Sequence, residues 1–462
     1  MTFEELWYEW LEAELAMTDR STQMALIGAG PVGLGMAKAL LEHKIPYEEL
    51  EADDDLGGNW YHGVYETVHI ISSRKTTEYA DYPMPEHYPD FPSRQQMLEY
   101  LRDYAEKFGL RKHIQFNTKV VMALPLADGK WELELATGER RIYKGLIVCN
   151  GHHWDKRFPN YPGKFEGEWI HSKDYRSPAQ VTGKRVLVIG GGNSACDIAA
   201  EAARVGKTSR LSVRRGYWFL PKAFFGIPSA ELMKPWFPVW AQRLMIGLLL
   251  RITVGKYSQY GFPEPDHKIF EAHPTINSEL LYYVKHGRIQ ARPDIARFEG
   301  KTVYFVDGRG EEFDLIVCAT GYHVSFPFLP PGLVPVKGSI AKLYGGSVLA
   351  EYKNLYIIGT SQLRYGFGPV VTPGMDLMAR MMLAQDQMEL PIGLVMKESG
   401  VRLARTHLID PHAALRSIHR GKRLLPLLLW KEKKLRKKLA PRGNTPPVFP
   451  AKQATDPRVE VF

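Results

Sequence analysis

The glycine pattern that opens a nucleotide-binding strand-to-helix turn occurs twice in this chain, and that duplication constrains the fold more than any other feature. In the first copy the apolar run Ala25–Ile27 leads into Gly28, Ala29, Gly30, Pro31, Val32 and Gly33. In the second, Val186–Ile189 leads into Gly190, Gly192, Asn193, Ser194 and Ala195. Each copy has a matching closing segment, Leu146–Gly151 (LIVCNG) and Leu315–Gly321 (LIVCATG). An apolar run of this kind reads as a buried parallel strand. The glycines permit a tight turn and close backbone approach to a pyrophosphate, which the uncapped helix N-terminus then attracts. The alternative for either copy is that its glycines serve only helix–strand packing, but the strand-to-helix context favours a nucleotide site. The fold class expected is α/β, with two Rossmann-like dinucleotide-binding domains. Two bound dinucleotides imply hydride transfer from a nicotinamide to a flavin.

The two units differ where their second strands end. Glu51 stands about 20 residues past the first fingerprint, where a carboxylate would hold a ribose hydroxyl. In the second unit Leu211-Ser212-Val213 runs into Arg214 and Arg215. Arginine there suits a 2′-phosphate, hence NADP(H), and a solvated turn charge is the bland alternative.

At 462 residues the chain should hold two or three domains. Its net charge of +9 is modest for that length, and much of the excess lies near the C-terminus, so no nucleic-acid partner is expected. Cys149, Cys196 and Cys318 sit in or beside apolar segments, which predicts buried free thiols and a reducing, cytoplasmic setting. The absence of a Cys-x-x-Cys pair argues against a dithiol-reducing flavoenzyme. No metal-ligand spacing stands out. The acidic N-terminus does not read as a secretory signal, and no apolar run is long enough to span a bilayer.

Residues 1–22 form an expected N-terminal extension, in which 2–16 is an amphipathic acidic helix that packs on its own domain or on a second copy of the chain as a homo-oligomer. Residues 23–160 and 323–410 are expected to form the FAD-binding domain. Residues 161–322 form the NADP-binding domain, inserted into the first and interrupted by an excursion over 216–270. Within the first domain Tyr82–Ser93 reads as loop and Gln95–Phe108 as helix. Residues 152–180 read as a connector, and Asn354–Gly359 as a further strand entering a glycine turn. Residues 411–462 are a basic C-terminal segment with a proline-rich tail expected to be mobile. Two segments, Val239–Val254 and Leu424–Leu439, are candidates for peripheral contact with an anionic membrane surface; a buried helix and a solvated basic tail are the alternatives.

Between the two fingerprints stands Phe165-x-Gly167-x-x-x-His171-x-x-x-Tyr175, which resembles the identifying signature of the flavin-containing monooxygenases. Cys318–Tyr322 resembles the family's ATGY element, Asp53–Trp60 its acidic-GG-x-W stretch, and Gly359–Gln362 its late flavin-proximal turn. Together they span roughly Met24 to Arg380. Tyr175 resembles the heteroatom-oxidising branch, since Baeyer–Villiger relatives usually carry tryptophan there. One departure matters. Where the family often has asparagine before a Ser-Ser pair, this chain has Ile71 before Ser72-Ser73, and Ser72 is the nearest hydroxyl that could substitute.

The resemblance implies FAD on Gly28–Gly33, Glu51, Gly58, Asn59, Trp60, Ser72 and Gln362. It implies NADP(H) on Gly190, Gly192, Asn193, Ser194, Ala195, Arg214 and Arg215, with Ser72 and Gln362 as the candidate catalytic residues. His171 and Tyr175 would position NADP(H) or pack between domains. The implied chemistry is an FAD- and NADPH-dependent monooxygenase that inserts one oxygen of O2 into a soft nucleophile through a C4a-hydroperoxyflavin. The substrate would be a small, lipophilic amine or sulfide. Such chemistry needs no Ser/His/Asp or paired-carboxylate constellation, and His113, His152, His153, His171 and His273 show no acid–base partner in sequence. Three alternatives remain open here: a Baeyer–Villiger monooxygenase on ketones, an uncoupled NADPH oxidase producing H2O2 (suggested by Ile71), and a nucleotide-stabilised membrane-surface binding protein.

Overall fold

The computed structural model describes residues 17–234 and 237–439. The amphipathic segment 2–16 and the tail after Pro441 lie outside the described residues.

The first fingerprint sits between strand β1 (Met17–Ile27) and helix α1 (Pro31–Glu42). Strand β2 (Tyr47–Leu50), helix α2 (Arg94–Lys107) and strands β3 (Ile114–Gln115), β4 (Val120–Pro125), β5 (Trp131–Leu135) and β6 (Arg140–Val148) follow. The sheet order is β3-β2-β1-β6-β5-β4. Strands β3, β2, β1 and β6 are parallel, and β4–β6 form an antiparallel meander. Alternation along β1 feeds two cores: Met24 and Leu26 face α1 and α2, whereas Ala25 and Ile27 face the meander side. Burying each such leucine or isoleucine contributes roughly 1.5–3 kcal/mol. Helix α2 starts at Arg94, one residue before the expected Gln95, behind a Ser93 capping box that ends the loop read from the prolines.

The second fingerprint has its own sheet. Strands β7 (Glu168–His171), β8 (Arg185–Ile189), β9 (Thr208–Ser212), β10 (Ile289–Arg292) and β11 (Leu315–Cys318) are all parallel, in the order β10-β9-β8-β11-β7. Helix α3 (Asn193–Val205) follows the fingerprint. Strand β7 carries His171 of the signature, so the stretch read as a connector supplies the fifth strand of this sheet. The excursion holds helix α4 (Val239–Thr253) and an apolar cluster that includes Leu220, Phe224, Ile246 and Phe270.

The chain then returns to the first sheet. Strand β12 (Leu355–Ile357) pairs in parallel with the second half of β6, whose first half holds β5. Strand β13 (Gln362–Leu363), helix α5 (Gly368–Gln385), strand β14 (Leu408–Ile409) and helix α6 (Pro411–Leu439) complete the described chain. Helix α6 docks along α5: Leu425, Leu428, Leu429 and Leu435 pack on the first core, and buried Glu432 accepts the N–H groups of Glu389 and Leu390 at 3.1 and 3.3 Å. The three cysteines are buried and unpaired.

Candidate active site

The three glycines of the first fingerprint do different things. Gly28 has φ +99°, and a Cβ there would lie 2.8 Å from the Cys149 carbonyl oxygen. A Cβ on Gly33 would lie 1.8 Å from the Gly28 carbonyl oxygen, so this glycine lets α1 pack against the turn. A Cβ on Gly30 would meet nothing closer than the Gly58 Cα at 3.9 Å, so the middle glycine opens onto free space. Gly30 is also the N-cap of α1; Pro31 opens the helix, no side chain caps it and no acid sits in its first turn. Its free amides and positive dipole end therefore face that space.

Three segments close around this turn. The Gly57 N–H donates to the Ala29 carbonyl at 2.9 Å, which seats the Asp53–Trp60 loop beside Gly30. Glu51 accepts the Ala29 N–H at 2.6 Å and the Asp53 N–H at 3.0 Å. Burial raises its pKa, with those N–H groups opposing. Gly359 packs on the Val32 side chain, which brings the late turn and Gln362 to the fingerprint. Trp60 packs on the first core. Two residues before Glu51, on β2, Glu49 is fully buried and neither of its carboxylate oxygens has a partner.

The second fingerprint repeats the logic. Gly190 has φ +130° and approaches the Ala319 carbonyl, to 2.3 Å from a hypothetical Cβ. Gly192 faces open space and caps α3 without an acid in its first turn. Ala195 is buried in the packing beneath. Asn193 accepts the Ile276 N–H at 2.7 Å and Tyr65 leans on Ser194, so both side chains already have protein contacts. Within the same turn, the Tyr217 ring lies 2.3 Å from a hypothetical Cβ on Gly191. Arg214 and Arg215 follow β9 and are exposed; the Arg215 guanidinium lies 5.5 Å from the centre of the Tyr217 ring.

The signature residues join the units. Phe165 and Gly167 pack together, with a Cβ on Gly167 only 2.5 Å from the Phe165 ring. His171 is fully buried; its Nε2–H donates to the Gly321 carbonyl at 3.0 Å and its Nδ1 accepts the Lys173 N–H at 3.0 Å. Both nitrogens are occupied, so His171 positions the closing turn and is not a free acid or base. Tyr175 is fully buried and donates to Glu201 on α3, which also accepts from Thr67 of the first unit. One turn earlier on α3, Asp197 accepts from Tyr65 at 2.7 Å and from Asn277 at 2.7 Å.

Ser72 is buried, with its Oγ 2.6 Å from the Thr77 hydroxyl. Ile71 packs on the apolar cluster of the excursion. His152 and His153 show no partner in the sequence, but both have one in the fold. His152 Nδ1 lies 2.9 Å from the Gly359 carbonyl, which can only accept, so Nδ1 carries the proton and the buried Nε2 is a lone pair without a partner. Burial, and then the charge of His407, lowers the His152 pKa to about 4. Gln362 donates to His153 Nε2 at 2.8 Å, and the His153 ring lies 5.5 Å from Tyr322. Lys173 donates to Asn59 Oδ1 at 2.6 Å, and burial lowers its pKa to about 8. This seam therefore joins Asn59 and Gln362 of the first unit to Lys173 and Tyr322 of the second. The available sequence signal was position: His152-His153 directly follows a closing strand, where sites in such sheets lie.

A model of the FMO-like, or flavin-binding monooxygenase-like, family matches residues 21–384. The chain belongs to this family. It is 34% identical over 372 residues to flavin-containing monooxygenase 5 of Oryctolagus cuniculus, covering 74% of this chain and 69% of that one. It is 32% identical over 357 residues to dimethylaniline monooxygenase [N-oxide-forming] 2 of the same species, covering 70% and 65%. The crystal structure of cyclohexanone monooxygenase from Rhodococcus sp. Phi1 bound to NADP+ shares the fold, with a TM-score of 0.69 at 16% identity over 88% and 98% of the two chains. The protein is accordingly a flavin monooxygenase that uses FAD, NADPH and O2 on a small molecule. This sets aside the reading as a binding protein without chemistry. The residues fit both coenzymes: each helix start is uncapped, and each middle glycine opens onto space that a Cβ would narrow.

Proposed function

We propose that the protein oxygenates the nitrogen or sulfur of a lipophilic small molecule. The observation that carries this choice is the end of the signature. The Tyr175 hydroxyl donates to Glu201 in a buried joint, at the position where Baeyer–Villiger relatives usually carry tryptophan. The N-oxide-forming activity in the name of the relative at 32% identity supports the same choice.

Reduced FAD and O2 supply the transferable oxygen. The chain's own residues bind and orient. Gly28–Gly33, Glu51, Gly58, Asn59 and Trp60 hold FAD in residues 23–160 and 323–410. Gly190, Gly192, Asn193, Ser194, Ala195, Arg214 and Arg215 hold NADP(H) in residues 161–322. Gln362, fixed by His153, and the lone pair of His152 Nε2 line the flavin side of the seam. The cluster around Ile71 gives an apolar wall that excludes water.

The exposed face of α4 supports peripheral membrane contact at a cytoplasmic surface. Trp240 and Ile252 are 70% and 72% exposed, with Leu244 and Leu248 between them at four-residue spacing. On α6, exposed Trp430 stands among lysines and arginines. No helix among the described residues is long and apolar enough to cross a membrane.

The test is product analysis with a tertiary amine, a sulfide and a cyclic ketone. N-oxide and sulfoxide without lactone is expected; lactone as the main product refutes the choice. A second reading has its own observation: Ile71 is apolar and Ser72 is engaged by Thr77, which favours an uncoupled oxidase. Stoichiometric H2O2 per NADPH in the presence of every tested nucleophile would establish it.

A further inference from the structure

Two residues beyond Gln362 lies Arg364, whose backbone N–H donates to the Ile409 carbonyl at 3.2 Å. Strand alternation puts its side chain on the same side as that of Gln362. The side chain is only 11% exposed, yet Nε and Nη1 are buried without a hydrogen-bond partner. Buried guanidinium donors are ordinarily satisfied, so an unsatisfied pair asks for an acceptor.

The neighbours satisfy the guanidinium only in part. Asp410 pairs with the guanidinium as a counter-ion, but its Oδ2 lies 3.6 Å from Nη1, too far for a hydrogen bond. Its Oδ1 is engaged by the N–H groups of His412 at 2.9 Å and Ala413 at 3.4 Å at the start of α6. The Tyr365 hydroxyl accepts from the guanidinium and donates to Gln242 at 2.7 Å, which leaves Nε and Nη1 as the donors without a hydrogen bond. The Phe270 ring centre lies 5.3 Å away. Phe270, Tyr365 and Ile71 all belong to the excursion cluster. A cation with free donors thus stands at the edge of the apolar wall, beside the turn that carries Gln362.

We propose that Arg364 is a specificity residue that binds an oxyanion, and that this oxyanion is the carboxylate of an amphipathic amine or sulfide substrate. Guanidinium suits a carboxylate or a phosphate. The apolar surroundings favour the substrate as its source over a coenzyme phosphate. The substrate class rests on the oxygenation reading above; the binding chemistry does not.

The experiment separates the two. The FAD-loaded protein is titrated with phenylacetate, which has no oxidisable nitrogen or sulfur, and with phenylacetamide, following the flavin spectrum. At least 10-fold tighter binding of the carboxylate is expected, and Arg364→Met should abolish the difference. Equal binding of the two by the unaltered protein overturns the proposal without any variant. In turnover, the kcat/KM ratio of (phenylthio)acetate to its methyl ester should fall about 30-fold in Arg364→Met. If that ratio is unchanged while FAD content drops or KM for NADPH rises, the oxyanion belongs to a coenzyme and the substrate assignment is wrong. If neither sulfide is oxidised but phenylacetate still binds through Arg364, oxygenation fails and the carboxylate site stands.

Discussion

Glu49 should weaken the protein, and replacing it should help. The carboxyl is fully buried behind the first fingerprint, at 3.3 Å from a hypothetical Cβ on Gly33, and both oxygens lack partners. Burial pushes its pKa well above the ordinary 4.5, and the nearby Glu51 charge adds to the rise. Two terms follow. An unpartnered buried polar group costs about 1–3 kcal/mol, which methionine of similar length removes. The second term depends on pH. The folded pKa is raised, so the folded state holds the proton more tightly than the unfolded chain. The group's contribution is then intact below pH 4.5 and is lost as pH rises through the folded value. The loss approaches about 1.4 kcal/mol per pH unit within that window. Methionine does not titrate, so the advantage of Glu49→Met should widen above pH 4.5. The assay is urea unfolding followed by FAD release, at pH 5 and pH 8. A stabilised variant with the larger gain at pH 8 is expected. A destabilised variant, or a gain that does not change with pH, would refute the reasoning and mean that Glu49 has a partner in the loaded protein.

Other consequences follow from single contacts. Arg214→Ser should raise KM for NADPH about 10–100-fold and leave KM for NADH nearly unchanged; equal effects on both would remove the 2′-phosphate assignment. Gly28→Val places a branched side chain at φ +99° against the Cys149 carbonyl, so the purified variant should carry no FAD, and a yellow variant would contradict the first site. Tyr175→Phe leaves Glu201 with Thr67 alone, should cost about 1–3 kcal/mol in thermal unfolding, and should raise H2O2 per NADPH. Glu201→Gln should reproduce the uncoupling if the joint positions α3, and normal coupling in both variants would reduce Tyr175 to packing.

What could be read in the sequence was whatever chemistry is local in the chain. The fingerprints, Glu51 and the arginine pair each lie within a single strand–turn–helix unit, where spacing alone fixes position. The insertion of one unit in the other was legible because Asn354–Gly359 repeats the strand-then-glycine pattern, and β12 indeed pairs with β6. The seam was not legible, because its contacts join distant residues: His152 to Gly359 across 207 positions, and Lys173 to Asn59 across 114. Ile71 looked like a missing hydrogen bond; only the folded excursion shows it as part of an apolar wall. Nothing in the acidic run Glu48-Glu49 marks Glu49 as buried, because burial is a property of the sheet and not of the run.

Nicotinamide and flavin should meet at the seam between the two fingerprint units. Anaerobic mixing of the purified protein with NADPH tests it directly. Visible flavin absorbance that bleaches with NADPH, much more slowly with NADH, and returns on admitting O2 is the expected result. A colourless protein, or bound flavin that NADPH leaves oxidised, would contradict it.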